Sequence, residues 1–341
     1  MSDERNEEEM RTAPPSSFID EASLGSAAQS ESATGTADTL PMVWVNGERV
    51  ASDAMHVSAL DRGFTLADGI FETMLVRHGM IFRLEQHLLR LRNGASVLGM
   101  GLPYRIRDWL EGPAYAAAGA AARASGTETA TVRLTLSRGP AAHGLAPRAS
   151  TMGEVVVVAG AFPEFPASLY EQGLSAITAS ARRDERALTS GVKTLAYTET
   201  IAALWRARDD GAGDVIFLDT EGHVSEASAS NIFVVNGGTL VTPPLSCGVL
   251  PGITREAIIE LAATLDIQVM ERPVEPCELA AADEAFLTSS LRGIAPLVRV
   301  DGRAIGSGSV GPRTLELSAA YSELVETECM RANRRLSSMV R

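Results

Sequence analysis

The sequence predicts an α/β protein of two domains. Three observations carry that expectation. At 341 residues the chain is long enough to bury two separate cores. Strand-like runs closed by tight turns, such as Met42-Val43-Trp44-Val45 before Asn46-Gly47, alternate with apolar residues at helical spacing, such as Leu84, Leu88, Leu91, Ala95 and Leu98. Between two such sets lies Phe162-Pro163-Glu164-Phe165-Pro166, a proline-punctuated linker. The expected order is a disordered acidic tail over residues 1–40, a first α/β domain over 41–160, a linker over 161–168 and a second α/β domain over 169–335.

Bulk chemistry narrows the function. A net charge of -13 argues against nucleic acid as a main partner but leaves room for small anions held locally. No apolar run reaches membrane-spanning length, so no membrane association is expected. The tail carries Asp3, Glu4, Glu7, Glu8 and Glu9, which suits neither a secretory nor an organellar targeting segment. Three cysteines, Cys247, Cys277 and Cys329, are an odd number without close pairing. They fit a reducing, cytoplasmic compartment and offer no zinc-binding spacing, so no metal is expected. No phosphate-loop or dinucleotide fingerprint occurs.

In the first domain, Glu48-Arg49-Val50 returns the opening hairpin. The stretch Leu60-Asp61-Arg62-Gly63-Phe64, with Asp68-Gly69 after it, sets charged residues beside permissive glycines. An Asp-Arg pair there either braces a loop or acts directly in catalysis. Residues 70–76 read as a strand containing Phe71, and His78-Gly79 as its turn. On the helix that follows, Arg90 and Arg92 lie off the centre of the apolar stripe. Periodicity leaves Arg90 free to reach a pocket or to face solvent. Residues 129–136 and 154–159 read as strands, flanking a Gly- and Pro-rich loop over 138–147 that could close over a site. Within it, His143 and Leu145 are candidate substrate contacts.

In the second domain, Lys193 follows a turn in the apolar stretch Ser190-Gly191-Val192-Lys193-Thr194-Leu195-Ala196-Tyr197-Thr198 and precedes a helix-like run. Desolvation favours the neutral amine, which makes such a lysine a Schiff-base candidate. The plain alternative is a lysine with its head in water. Asp214–Asp219 reads as a strand, Thr220-Glu221-Gly222 as its turn, and residues 223–235 as strand, small-residue break and strand. Glu226 lies among small residues and either holds a proton on a ring nitrogen or faces water from an edge strand. In Gly248-Val249-Leu250-Pro251-Gly252-Ile253-Thr254-Arg255, a Pro-Gly turn leads to Thr254 as the expected N-cap of a helix carrying Ile258, Leu261, Ala262 and Leu265. That helix start is a phosphate-type anion site or an ordinary cap. Phe286 to Ser290 is a strand ending in hydroxyls, followed by Leu291. Those hydroxyls hold an anion or form a Ser/Thr turn. An amphipathic helix over residues 315–334 closes the chain.

Taken in order, these segments resemble the class IV aminotransferases, the fold-type IV pyridoxal-phosphate enzymes. The family includes branched-chain aminotransferases, D-amino-acid aminotransferases and aminodeoxychorismate lyases. The resemblance spans residues 43–300 and is most specific in Glu226-Ala227-Ser228-Ala229-Ser230-Asn231-Ile232-Phe233 and in Gly248 to Arg255. It implies pyridoxal 5'-phosphate in a cleft between two α/β domains, and a homodimer. It implies that Lys193 forms the Schiff base and moves the substrate's α-proton. Tyr197 would bond the ring oxygen, and Glu226 would pair with the protonated ring nitrogen. Arg90, which follows a histidine by three residues, would bind the phosphate with Ile253, Thr254 and Ser290. Phe71, His143, Leu145 and Leu291 would meet substrate. Two departures stand out. Ala196 occupies a place where many members carry Asn, and Ala67 one where many carry Gly.

Within the family, Asp61-Arg62-Gly63-Phe64 with Asp68-Gly69 resembles the D-aminotransferase and lyase branches. The loop with Gly139, Gly144, Leu145 and Pro147 resembles the branched-chain branch instead. His143 and Leu145 leave incomplete the Arg-His or Arg-Tyr carboxylate traps of the other two. The expectation is therefore an aminotransferase moving an amino group between a small or branched-chain amino acid and a 2-oxo acid such as 2-oxoglutarate. Aminodeoxychorismate lyase is the alternative, and D-amino-acid or R-amine transfer the third.

Overall fold

The computed structural model describes residues 40–141, 144–146 and 153–339. The expected tail, apart from Leu40, and the loop residues His143 and Pro147 lie outside the described residues.

The first sheet is antiparallel throughout. It is built from β1 (Met42–Val45), β2 (Glu48–Val50), β3 (Gly69–Arg77), β4 (Met80–Ile81), β5 (Thr129–Ser137) and β6 (Glu154–Ala161), in the order β2-β1-β6-β5-β3-β4. The first turn is a left-handed pair, Asn46 at φ 51 and Gly47 at φ 88. A Cβ on Gly47 would stand 2.1 Å from Trp109 Nε1, so this corner admits no side chain. Short helix α1 (Arg62–Leu66) precedes β3, and α2 (Leu84–Val97) and α3 (Asp108–Ser125) pack on the sheet. Their core includes Met74, Leu91, Leu110, Ala117, Ala121, Val132 and Leu134. Helix α3 was not anticipated. Its buried face is mostly alanine, which gives little contrast between its faces.

The second sheet has nine strands. Between the sheets run residues 162–166 without regular structure, then α4 (Ala167–Glu171). Then follow β7 (Leu174–Arg183), α5 (Thr198–Asp209), β8 (Asp214–Asp219), β9 (Val224–Ala227), β10 (Asn231–Asn236), β11 (Thr239–Thr242), α6 (Ile253–Thr264), β12 (Val269–Glu271), α7 (Pro276–Ala280), β13 (Glu284–Ser289), β14 (Gly293–Val300), β15 (Arg303–Ala304) and α8 (Pro312–Met339). The order is β12-β11-β10-β13-β14-β7-β8-β9, with β15 on β14. β7, also not anticipated, runs parallel to both its neighbours.

Helices α6 and α8 cover one region of this sheet, burying Phe233, Phe286, Ile258, Leu317 and Tyr321. A fully buried phenylalanine contributes about 2–3 kcal/mol. Phe82, from the β4–α2 turn, joins the same cluster and ties the first sheet to the second. Helix α8 extends beyond the expected 315–334 at both ends; Glu284 accepts from the Arg313 and Thr314 amides and fixes its start. Among the described residues, no helix is long and apolar enough to cross a membrane.

Candidate active site

Both sheets contribute to one cavity of about 840 Å3. Lys193 enters it on a strap of turns between β7 and α5. Its carbonyl accepts from the Phe71 amide at 3.0 Å, and the Leu195 amide donates to the Gly69 carbonyl at 3.0 Å. The strap from the second half of the chain is therefore hydrogen-bonded to the first strand of the β3–β5 pair. Lys193 Nζ stands 4.5 Å from the centre of the Phe71 ring and 3.4 Å from the Tyr197 hydroxyl. Burial, aided by the nearby Arg90 guanidinium, pushes the amine down to about 8. Burial pushes the Tyr197 hydroxyl up.

Arg90 is buried, which removes the solvent-facing alternative for it. Its Nε and NH2 donate to Glu72 at 2.8 and 2.6 Å, and NH1 donates to the Pro251 carbonyl at 2.9 Å. Glu72 also meets His87 Nδ1 at 2.7 Å. Burial opposes ionisation of Glu72, but Arg90 and the hydrogen bonds outweigh it and hold the carboxyl at about 2. Burial pushes the His87 imidazole down, so the charged pair is Glu72 with Arg90.

Glu226 lies on β9, at the end of the strand order, yet lines the cavity rather than open solvent. It accepts from the Leu250 amide at 2.9 Å. Burial pushes its carboxyl up, against the lowering effect of the Leu250 amide and the nearby Arg183, Lys193 and Arg90. Ser228, Ala229 and Ser230 leave space next to it.

The loop into α6 is held by Asn231, whose Nδ2 donates to the Leu250 carbonyl at 2.9 Å. A Cβ on Gly252 would stand 1.9 Å from Asn231 Oδ1, so this close approach requires glycine. The helix cap is Gly252, not Thr254 as expected, and no side chain caps the helix. The helix begins two residues earlier than expected. Thr254 is thereby buried in the first turn, with its hydroxyl 3.4 Å from that of Tyr321. Gly252, Ile253 and Thr254 line the cavity, facing it with an uncapped helix start. Across from them, Thr288, Ser289, Ser290 and Leu291 line it from the end of β13. Thr288 Oγ1 is buried without a hydrogen-bond partner among the described residues.

The structure thus brings together Lys193, Arg90, Tyr197, Glu226, Ile253, Thr254, Ser290, Phe71 and Leu291. It does not bring Leu145, whose side chain is 80% exposed and outside the cavity lining of this chain. The Leu145 carbonyl instead accepts from Arg62 at 2.8 Å. Arg62 also bonds Asp68 at 2.8 Å, and Asp61 caps α1 through the Gly63 amide at 2.7 Å. This charged group braces the loop, with Asp68 rather than Asp61 as the partner of Arg62. Two cavity residues carried no signal in the sequence. Arg133 on β5 stacks 3.8 Å from the centre of the Phe71 ring and has no carboxylate partner among the described residues. Arg183, at the end of β7, donates to Thr200 Oγ1 at 2.9 Å. Arg133 is one arginine among ordinary strand residues, and Arg183 stands in the charged run 182–186; strand pairing aims both at the cavity.

The chain's similarities to known proteins agree with this arrangement. The family model for amino-transferase class IV matches residues 69–300, well over half of the chain. The chain belongs to the class IV aminotransferases. Among its relatives, the branched-chain-amino-acid aminotransferase of Pseudomonas aeruginosa is 33% identical over 299 residues, covering 85% of this chain and 94% of the relative. The crystal structure of the Escherichia coli branched-chain amino acid aminotransferase superposes with a TM-score of 0.76 at 28% identity, covering 84% of this chain and 95% of that one. The 4-amino-4-deoxychorismate lyase of Pseudomonas aeruginosa superposes at 0.72 with 30% identity, covering 83% of this chain and 99% of that one. This class IV aminotransferase thus has the α/β, fold-type IV architecture expected from its sequence.

Proposed function

We propose that the protein is a pyridoxal-phosphate-dependent aminotransferase that moves an amino group between a small or branched apolar amino acid and a dicarboxylic 2-oxo acid. One observation carries the reading: a half-buried lysine amine, held at about 8, shares a cavity with Glu226, an uncapped helix start and an arginine without a carboxylate partner among the described residues. The donor set suits the cofactor. The amides at Ile253 and Thr254, Ser290 and the two N–H groups of Arg90 not used by Glu72 or Pro251 would hold its phosphate. The orphaned Thr288 hydroxyl fits the same anion-rich setting. Glu226 would hold a proton at the ring nitrogen, and Tyr197 would bond the ring oxygen. Another branched-chain amino acid aminotransferase of the same fold, TM-score 0.76 at 29% identity, was solved with pyridoxamine 5'-phosphate.

When bound, pyridoxal phosphate supplies the carbonyl that exchanges amino groups and a ring that accepts the electron pair left by the departing α-proton. The protein's part is acid–base and positional. Neutral Lys193 would take the proton from the substrate's α-carbon and, as its conjugate acid, give it back when the amino group is passed on. Phe71 walls the cavity with an apolar face suited to an aliphatic side chain. Arg133, resting on that face, binds the distal carboxylate of the dicarboxylic partner. We further propose a homodimer, because Leu60, Phe64 and Leu66 are exposed on one short segment.

The test is absorbance titration of the cofactor-loaded protein with L-leucine and, separately, D-alanine, followed by 2-oxoglutarate. Conversion to the amine form by L-leucine, and reversal by 2-oxoglutarate, is the expected result. Conversion by D-alanine alone assigns the D branch. A second reading is supported by the lyase neighbour. Release of pyruvate from aminodeoxychorismate, with no conversion by either amino acid, would establish it instead.

A further inference from the structure

Away from the cavity's donor set, the β8–β9 turn gathers a second cluster. Asp219 ends β8, Glu221 and Gly222 form the turn, and His223 precedes β9. Cys247, in a short 3-10 turn, lies beneath them. Asp219 Oδ1 accepts from the Glu221 and His223 amides at 3.1 and 2.8 Å. Its other oxygen lies 3.3 Å from His223 Nδ1. One ligand atom each from Asp219, His223 and Cys247 lie within 4.8 Å of one another, and Asp219 and Cys247 are buried.

We propose that this turn is a divalent transition-metal site of the zinc class. Asp219 Oδ2, His223 Nδ1 and Cys247 Sγ are three ligands, and Glu221 supplies the fourth. Three features of the geometry support it. Two N or O ligands of one tetrahedral zinc stand about 3.3 Å apart, the separation of Asp219 Oδ2 and His223 Nδ1. Glu221 Oε2 already lies 4.0 Å from the same His223 nitrogen; its other oxygen accepts from Arg186 at 3.2 Å on an exposed side chain, a contact that metal binding would exchange. His223 Nε2 lies 3.4 Å from Glu275 Oε1, the outer carboxylate that orients ligating histidines. Thiolate, imidazole and carboxylate together favour zinc or cobalt over magnesium or calcium. As the sulfur–metal bond forms, the Cys247 thiol releases its proton to solvent.

The sequence hides this site because its ligands are a D-x-E-x-H turn and one distant cysteine. The cation would also clamp the cofactor loop. Ser225, adjacent to Glu226, donates to the Cys247 carbonyl at 2.8 Å, and Leu250, three residues beyond Cys247, donates to Glu226.

The experiment uses the cofactor-loaded, full-length protein. Metal-free protein is titrated with Co2+, followed by its thiolate-to-metal charge-transfer absorbance, and with Zn2+, followed by equilibrium dialysis and thermal midpoint. The expected result is one ion per chain with a thiolate band and a raised midpoint. Cys247→Ser and His223→Gln lose the band, Cys277→Ser keeps it, and Glu275→Gln weakens affinity by roughly 10–100-fold. Absence of a thiolate band, or binding undiminished in both Cys247→Ser and His223→Gln, overturns the proposal. In that case the cluster is only a hydrogen-bonded turn.

Discussion

Two arginines meet the cavity from the first sheet's side in opposite electrostatic states. Arg90 is committed before any ligand arrives. Glu72 engages it at two nitrogens, and Pro251 takes a third hydrogen bond. Arg133 rests on the Phe71 ring with no carboxylate partner among the described residues; it is exposed on β5, and partial desolvation pushes its guanidinium pKa down. A buried charge without a counter-ion is costly. The Glu72–Arg90 pair therefore belongs to the folded scaffold, while Arg133, without a carboxylate partner among the described residues, is the arginine proposed to meet a substrate carboxylate. Arg90 and Arg133 both favour loss of the Lys193 proton, whereas Glu72 favours its retention. The committed pair and the open arginine thus both act on the same amine.

The largest effect should come from Lys193, where the two environments meet. Lys193→Ala should reduce turnover by about 10^3-fold or more and remove the visible absorbance change on cofactor loading. In the wild type, the rate of that change should rise with pH up to about 8, where the amine loses its proton. A flat profile would mean that the amine is not poised by its surroundings.

Breaking the committed side should cost stability. Glu72→Ala leaves Arg90 buried and uncompensated, a loss of about 3–5 kcal/mol in denaturant unfolding. The sign with pH follows from the carboxyl's descent from 4.5 to about 2. Its contribution is present above pH 4.5 and disappears as pH falls towards 2, about 3 kcal/mol in all. Glu72→Gln should flatten that part of the acid-unfolding profile. An unchanged profile would place the acid sensitivity elsewhere.

Breaking the open side should alter specificity instead. Arg133→Met should lower kcat/KM for 2-oxoglutarate by roughly 10- to 100-fold and change that for a monocarboxylic branched 2-oxo acid much less. Equal losses on both substrates would show that Arg133 supports Phe71 rather than a carboxylate.

The smallest effect lies at a third cluster, where α8 docks on the β3–β4 turn. There the Glu326 carboxylate raises the His78 imidazole. A raised histidine stabilises the fold below its unfolded pKa of about 6.5, and this contribution fades as pH rises through the folded value. The pair is partly exposed, so the difference should stay under about 1 kcal/mol. Thermal midpoints of His78→Gln and wild type should converge on the alkaline side of neutrality; a constant gap would rule out the ion pair as its source.

Much of this protein was legible in order along the chain. Asn46-Gly47 forced a left-handed hairpin, alternation marked β5, and Pro251-Gly252 announced the start of α6 to within two residues. Lys193, Tyr197 and Glu226 stood out through local chemistry and family resemblance. The alanine face of α3 and the parallel strand β7 did not, because neither has a strong local period. Sequence alone determined features that depend on a residue and its near neighbours, such as turns, amphipathic faces and motif glycines. Tertiary structure alone decided that Arg90 is buried against Glu72, that Arg62 braces a loop with Asp68, that Arg133 faces the cavity and that Asp219, His223 and Cys247 meet. Those outcomes depend on which charges converge as strands distant in sequence pair, and on the burial that sets each charge's energy.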